Sequence, residues 1–451
     1  MRINRMYQDF RHPSPKSLAA VSTVCLYFLL GASYLAADEV TKWNGIAGNA
    51  SFTSGLSGIP PFESRLYAVT HAAIHDALNA IDRRYSPYVL NSLLIPGASP
   101  EAAVATAAHQ VLVNQFNQLI AYGLAPQQAV LDAAYVSSLA AIPAGPAKDA
   151  GILVGQAAAE AILSKRARAN DDWNQQVVKD FKYVEGTAPG EYRFTPPNNF
   201  AFLPNWGKLP PFVLFRADQY LPSPPYPVDS KRYTADYYEI KNLGGNGVTT
   251  PSARTPDQTQ IALFWFESSP LGWNRIARTV SASRGLGLWE NARLFALLNF
   301  ASADGYIASW DTKFYYKYWR PITAIHLGDI DGNPDTVGDS TWTPLLETPA
   351  IPDYDSGHSV QGGAISEIMR LFFGTDNIFF STCSTTLPPG STCNDVSPVT
   401  RSFTSFSQAA AENGLSRILV GIHFRKAVTE GIEHGGKIAH HTFVHSLRPL
   451  R

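Results

Sequence analysis

From Glu63 onward, apolar and small residues return every three or four positions, and this period restricts the fold more than any other feature of the chain. Leu66, Val69, Ala73, Ala77 and Ile81 fall on one helix face, and Arg83-Arg84 followed by Pro87 bring that helix to an end. Residues 101–120 repeat the pattern in alanine-rich form, with Ser99 placed as N-cap and Pro100 just inside the first turn. Residues 127–139 and 148–166 continue it. Helices resume at Thr255, an N-cap, and run through 276. Residues 291–310, 356–373 (closed by Gly374 as C-cap), 403–413 and 415–441 complete the set. No stretch sustains the alternation of a strand, and no repeat of fixed period appears. The expected fold is all-α, built of packed helical bundles.

Residues 173–256 break the rhythm. Prolines and turn residues crowd there, as in Thr195-Pro196-Pro197-Asn198. The segment also carries Phe200, Phe202, Trp206, Phe212 and Phe215, too many aromatics for a flexible linker. Long ordered loops packed on a helical body are expected. The organisation read from the sequence is a leader at 1–37, an N-terminal helical region at 38–280 and a C-terminal helical domain at 281–451 that carries the chemistry.

The leader has the layout of an export signal. Arg2, Arg5, Arg11 and Lys16 precede an uncharged apolar run, and Ala36-Ala37 supply small residues before Asp38. Cleavage gives a secreted or periplasmic protein with no membrane attachment, whereas a retained leader is long enough to anchor the chain. Cys25 lies in the leader, and Cys383 and Cys393 share one Ser/Thr/Pro-rich loop, which in an exported protein reads as a disulfide. The formal net charge is −1 over 451 residues, so there is no basic excess of the kind a nucleic-acid partner requires. Oligomeric state is not legible.

Three segments of the last third concentrate chemistry. In Trp310-Asp311-Thr312-Lys313 and Arg320-Pro321 the two cations are seven residues apart, the same direction on a helix and about 10 Å apart in height. Aromatics between them argue against a simple solvated face. Tyr354-Asp355-Ser356-Gly357-His358 opens a helix, where free N–H groups and the positive dipole end favour an anion. Ser416-Arg417 and His423 lie on a third helix, about 120° and about 9 Å apart if it is straight. Singly, each segment also suits an ordinary helix start or a surface cation. Together, three fixed cations, a serine, a glycine N–H and two histidines suit a tetrahedral oxyanion, each oxygen of which needs charge-assisted donors.

Lys313 with six residues before Arg320-Pro321, then Ser356-Gly357-His358, then Ser416-Arg417 with five residues before His423, resembles the pattern of the vanadium-dependent haloperoxidases. That family shares its fold and pocket with bacterial acid phosphatases and lipid phosphate phosphatases. The likeness implies vanadate as cofactor, with hydrogen peroxide, halide and an organic acceptor as small-molecule substrates. By position, His423 would bond vanadium, Lys313, Arg320 and Arg417 would neutralise its oxygens, and Ser356 and the Gly357 N–H would hydrogen-bond them. His358 would be the acid/base, Lys313 would also polarise bound peroxide, and Trp310 would face the halide.

Three positions depart from the family pattern. Asp355 stands where a proline is usual. Ala427 replaces the acidic residue often found four places after the last histidine, so something else must orient His423. Ile351 occupies the position that carries an aromatic or histidine in halide-selective members. Asp304 reads either as an arginine's partner or as a buried structural aspartate. Two other readings suit the same residues: a phosphatase in which His423 attacks phosphorus and His358 protonates the leaving group, and a non-catalytic oxyanion binder.

Overall fold

The computed structural model describes residues 38–169, 171 and 173–450. The leader at 1–37, with Cys25, lies outside the described residues. Among the described residues thirteen α-helices carry the fold: α1 (Glu39–Ser54), α2 (Pro60–Asn79), α3 (Pro100–Leu119), α4 (Gln128–Ala140), α5 (Pro146–Arg168), α6 (Lys231–Leu243), α7 (Pro256–Phe264), α8 (Ser269–Arg284), α9 (Leu288–Tyr316), α10 (Pro321–His326), α11 (Gly357–Phe373), α12 (Phe406–Leu419) and α13 (Arg425–His445). The strands described are two short antiparallel pairs, β1 (Lys179–Asp180) with β2 (Ala201–Phe202) and β3 (Phe380–Cys383) with β4 (Thr400–Phe403). The all-α expectation holds.

Helix ends follow their capping chemistry. Ser99 caps α3 by accepting from the Ala102 N–H at 3.2 Å. Thr255 caps α7 in a capping box with Gln258, and Gly374 closes α11 in the left-handed conformation. The helix expected to run from 255 to 276 is instead two, because the chain turns between Phe264 and Ser269 and restarts with Pro270 in the first turn of α8. Residues 39–54, not read as helical from the sequence, form α1, capped by Asp38.

Two helices form the axis of the molecule. Every residue of α2 from Pro61 to Asn79 is buried, and α9 is buried from Asn291 through Trp310. The first packs on α3, α5 and α9; the second continues onto α11 and α13. Glycines on α5 let it approach α3 closely: a Cβ on Gly155 would lie 2.6 Å from the Ala103 carbonyl oxygen. At the functional end α11 and α13 cross over Gly363, Gly431 and Gly435. A Cβ on Gly431 would sit 2.8 Å from the Ser356 carbonyl oxygen, and one on Gly435 would strike Val360 O and lie 2.6 Å from Ala364 N.

Two buried carboxylates tie irregular chain to this axis by one device. Asp76 of α2 accepts the backbone N–H groups of Tyr88, Val89 and Leu90 at 2.7, 2.6 and 2.8 Å. Asp304 of α9 accepts those of Phe212, Val213 and Leu214 at 2.6, 2.8 and 2.9 Å. Asp304 is therefore a structural aspartate that pins a loop, not the partner of a site arginine. The 173–256 stretch packs most of these aromatics as expected: Trp206 and Phe212 are buried and Phe202 meets Trp310 edge-on at 6.3 Å, whereas Phe215 is 83% exposed.

Candidate active site

Lys313 lies in the last turns of α9, one turn beyond Trp310, and both are buried. The helix stops at Tyr316 because Lys317 adopts a left-handed conformation, φ 49°. Arg320 then sits in extended backbone as the N-cap of α10, the conformation that the following Pro321 favours. The expectation that one helix aims Lys313 and Arg320 together is corrected: a break in the chain, not helical phase, brings them onto one cavity.

The loop before α11 holds both cations. The Lys313 ammonium donates to the carbonyls of Pro352 (3.0 Å), Asp353 (2.9 Å) and Asp355. Arg320 donates from Nε to the Ile351 carbonyl at 2.6 Å and from a terminal nitrogen to the Ile422 carbonyl at 2.8 Å. Ser356 is the N-cap of α11, and Gly357 opens its first turn, whose N–H groups lack helical acceptors.

The third segment also breaks. Arg417 is in the last turn of α12, which ends at Leu419; Gly421 then turns the chain at φ 90°, and His423 precedes α13. The straight helix expected across residues 415–441 is therefore two, and the turn between them puts Arg417 and His423 on a common wall.

That wall belongs to a cavity of about 350 Å³ lined by Trp310, Lys313, Arg320, Ile351, Gly357, His358, Arg417 and His423, with Phe200, Phe202, Phe266 and Tyr306 beside them. Ser356 is the exception among the expected residues. It is wholly buried and outside the lining, and its hydroxyl accepts from Ser359 at 2.9 Å. Cys383 and Cys393 pair as a disulfide in the β3–β4 connection.

The electrostatics are those of a positive cage short of a negative charge. Burial, and then neighbouring Arg320, push Lys313 down to about 7. Burial, and then Arg320, push Arg417 down to about 9. Arg417 is 1% exposed, yet it donates only to the Trp265 carbonyl at 3.3 Å and its Nε has no partner. Buried cations without full partners are costly, so the site calls for an anion. Burial holds both His358 and His423 well below the usual histidine range, reinforced by Arg417 at His358 and by Arg320 at His423. Both rings are therefore neutral near pH 7.

Asp355 does not oppose the cage. Its carboxylate points to a buried pair, Ser309 Oγ at 2.7 Å and His434 Nδ1 at 2.7 Å. The carboxylate in contact with the site is Asp353, which lies outside the cavity lining and which sequence reasoning missed. Its Oδ1 lies 2.8 Å from His423 Nδ1 and 4.0 Å from an Arg320 nitrogen. As one aspartate in a proline-rich loop, three residues before Ser356, it carries no spacing signal that separates it from a turn residue.

Fold and site thus define a class: an all-helical protein whose helix ends enclose a buried cage for a tetrahedral oxyanion. Residues 293–451 match the family model described as the VCPO second helical-bundle domain. The chain is 26% identical over 463 residues to vanadium chloroperoxidase of Curvularia inaequalis, covering 81% of this chain and 74% of that one. Its structure resembles that of the first bacterial vanadium-dependent iodoperoxidase, with a TM-score of 0.72, 25% identity and coverage of 92% and 98% of the two chains. The holo form of a bacterial vanadium-dependent chloroperoxidase shares the fold at a TM-score of 0.65 and 16% identity, covering 85% of this chain and 91% of that one. The family model, the curated relative and the structural neighbours all support the vanadium-dependent haloperoxidase family.

Proposed function

We propose that this protein is a vanadate-dependent haloperoxidase that uses hydrogen peroxide to oxidise halide to hypohalous acid. The observation that carries the reading is the convergence of Lys313, Arg320, Arg417, His358 and His423 on one cavity from three separated stretches of chain. The donor set fits vanadate: buried cations around a cavity, an arginine Nε without a partner, and the free N–H groups of a helix start. Bound vanadate supplies Lewis acidity, activating peroxide toward halide with no change in oxidation state.

The residues have distinct work. Arg320 and Arg417 hold charge on the oxyanion, and their planar forks fix its orientation. Lys313, locked by three carbonyls, is a point charge that cannot swing away. His423 presents a neutral ring nitrogen as ligand, which its depressed proton affinity keeps available. His358 lies with Nε2 3.2 Å from the Glu267 carbonyl. As a neutral ring donating there, it keeps Nδ1 free to take a proton from incoming peroxide. Trp310 and Ile351 form the apolar side on which halide would arrive, and the organic acceptor would meet the aromatic wall beside them.

The test loads purified protein with orthovanadate and follows halogenation of a phenol dye with peroxide and bromide or iodide, beside aryl phosphate hydrolysis without vanadate. Turnover that requires both vanadate and peroxide is expected. Phosphate release without vanadate would instead establish the phosphatase chemistry that the same cage suits.

We also propose export by way of residues 1–37. The Cys383–Cys393 disulfide supports an oxidising compartment, and no helix among the described residues is long and apolar enough to cross a membrane. N-terminal sequencing of protein recovered outside the cytoplasm should begin near Asp38; an intact leader would point to anchoring.

A further inference from the structure

Position 427, four residues after His423, is a wholly buried alanine and supplies no acidic partner to that ring. In its place the structure offers a carboxylate from a different segment. Asp353 is 0% exposed, and neither of its oxygens has a hydrogen-bond partner. A buried carboxylate in that state requires a nearby donor or cation. Around it stand His423 Nδ1 at 2.8 Å, Arg320 at 4.0 Å and the Phe424 backbone N–H. The His423 contact is short but falls outside hydrogen-bond geometry.

From this geometry we infer that Asp353 is the positioning residue for His423: it takes the Nδ1–H, fixes the tautomer, and leaves Nε2 as the nitrogen offered to the oxyanion. One Arg320 nitrogen lies 3.0 Å from Nε2 and 3.4 Å from Nδ1, so the arginine is closer to Nε2. The backbone helps, because the Asp353 N–H donates to the Tyr318 carbonyl at 2.9 Å while its carbonyl holds Lys313. One residue therefore ties the loop, the lysine and the histidine together. The inference rests on the vanadate reading above, in which His423 is the ligand.

Two anions separate this role from a simple counter-charge. Under that reading vanadate would engage both the cage and His423, whereas inorganic phosphate bound without a covalent bond would engage only the cage. Binding of each to the resting protein is measured by calorimetry for the wild type and for Asp353→Asn, Asp353→Leu and Asp353→Glu, with thermal unfolding alongside. The expected result for Asp353→Asn and Asp353→Leu is a fall of about 10- to 100-fold in the vanadate-to-phosphate affinity ratio, partly restored in Asp353→Glu. If Asp353 only balances cage charge, its removal tightens both anions together and the ratio stays fixed; that result overturns the inference. So does equal weakening of both with a lowered melting temperature, which marks a structural role. A wild type that holds vanadate no more tightly than phosphate would instead refute His423 as the ligand, leaving no positioning role to assign.

Discussion

At the scale of single residues, the site is a set of groups held away from their ordinary protonation states. Burial and Arg320 push Lys313 down to about 7. Burial pushes Asp353 up to about 7, opposed by Arg320 and Lys313. Raising pH through 7 removes a positive charge from the cage and adds a negative one. Sulfate, dianionic throughout, should therefore bind progressively more weakly as pH rises from 6 to 9, and Lys313→Gln should flatten that dependence; a pH-independent affinity in the wild type would contradict it. The stability signs are opposite for the two groups. Between about 7 and the ordinary lysine range the unfolded chain binds a proton that folded Lys313 has lost, so its contribution to stability rises with pH. Between the ordinary carboxylate range and about 7 the folded state holds a proton that unfolded Asp353 has released, so that contribution falls as pH rises. Loading with an oxyanion should weaken the first trend, because the anion returns the proton to Lys313.

At the scale of elements, the glycines of the α11–α13 crossing set where the oxyanion site can form. Gly431 lies against the Ser356 carbonyl, and Gly435 against Val360 and Ala364, so neither can carry a side chain without parting the helices. Gly435→Ala should cost about 1–3 kcal/mol or more in urea unfolding and weaken oxyanion binding with it; unchanged stability would show that the crossing has slack. Gly357 is a different case, since a Cβ there meets Trp310 only at 3.4 Å, ordinary contact. Its smallness serves the cavity rather than the packing. Helix ends whose caps are local, at Ser99, Thr255 and Gly374, were legible in the sequence, because one side chain or one glycine decides them. The breaks that build the site were harder. The end of α9 depends on Lys317 adopting φ 49°, an unusual state for a lysine. Gly421 was a visible signal for the end of α12, outweighed by an apolar run that continues across it. The site residues were legible as a family pattern, but their convergence was argued from helical phase when loops and turns produce it. Asp353 was not legible, because its role comes from a contact across 70 residues of chain.

At the scale of the molecule, two long buried helices and their loop anchors hold three distant stretches of chain around one cavity of about 350 Å³. The low overall charge conceals a local concentration of buried cations that a bound anion would offset. Crystals of the protein soaked in orthovanadate test this most directly. The expected result is one vanadium at full occupancy, bonded to His423, with its oxygens on Lys313, Arg320, Arg417 and the start of α11. Vanadium bound elsewhere, or an empty cage at saturating vanadate, would contradict it.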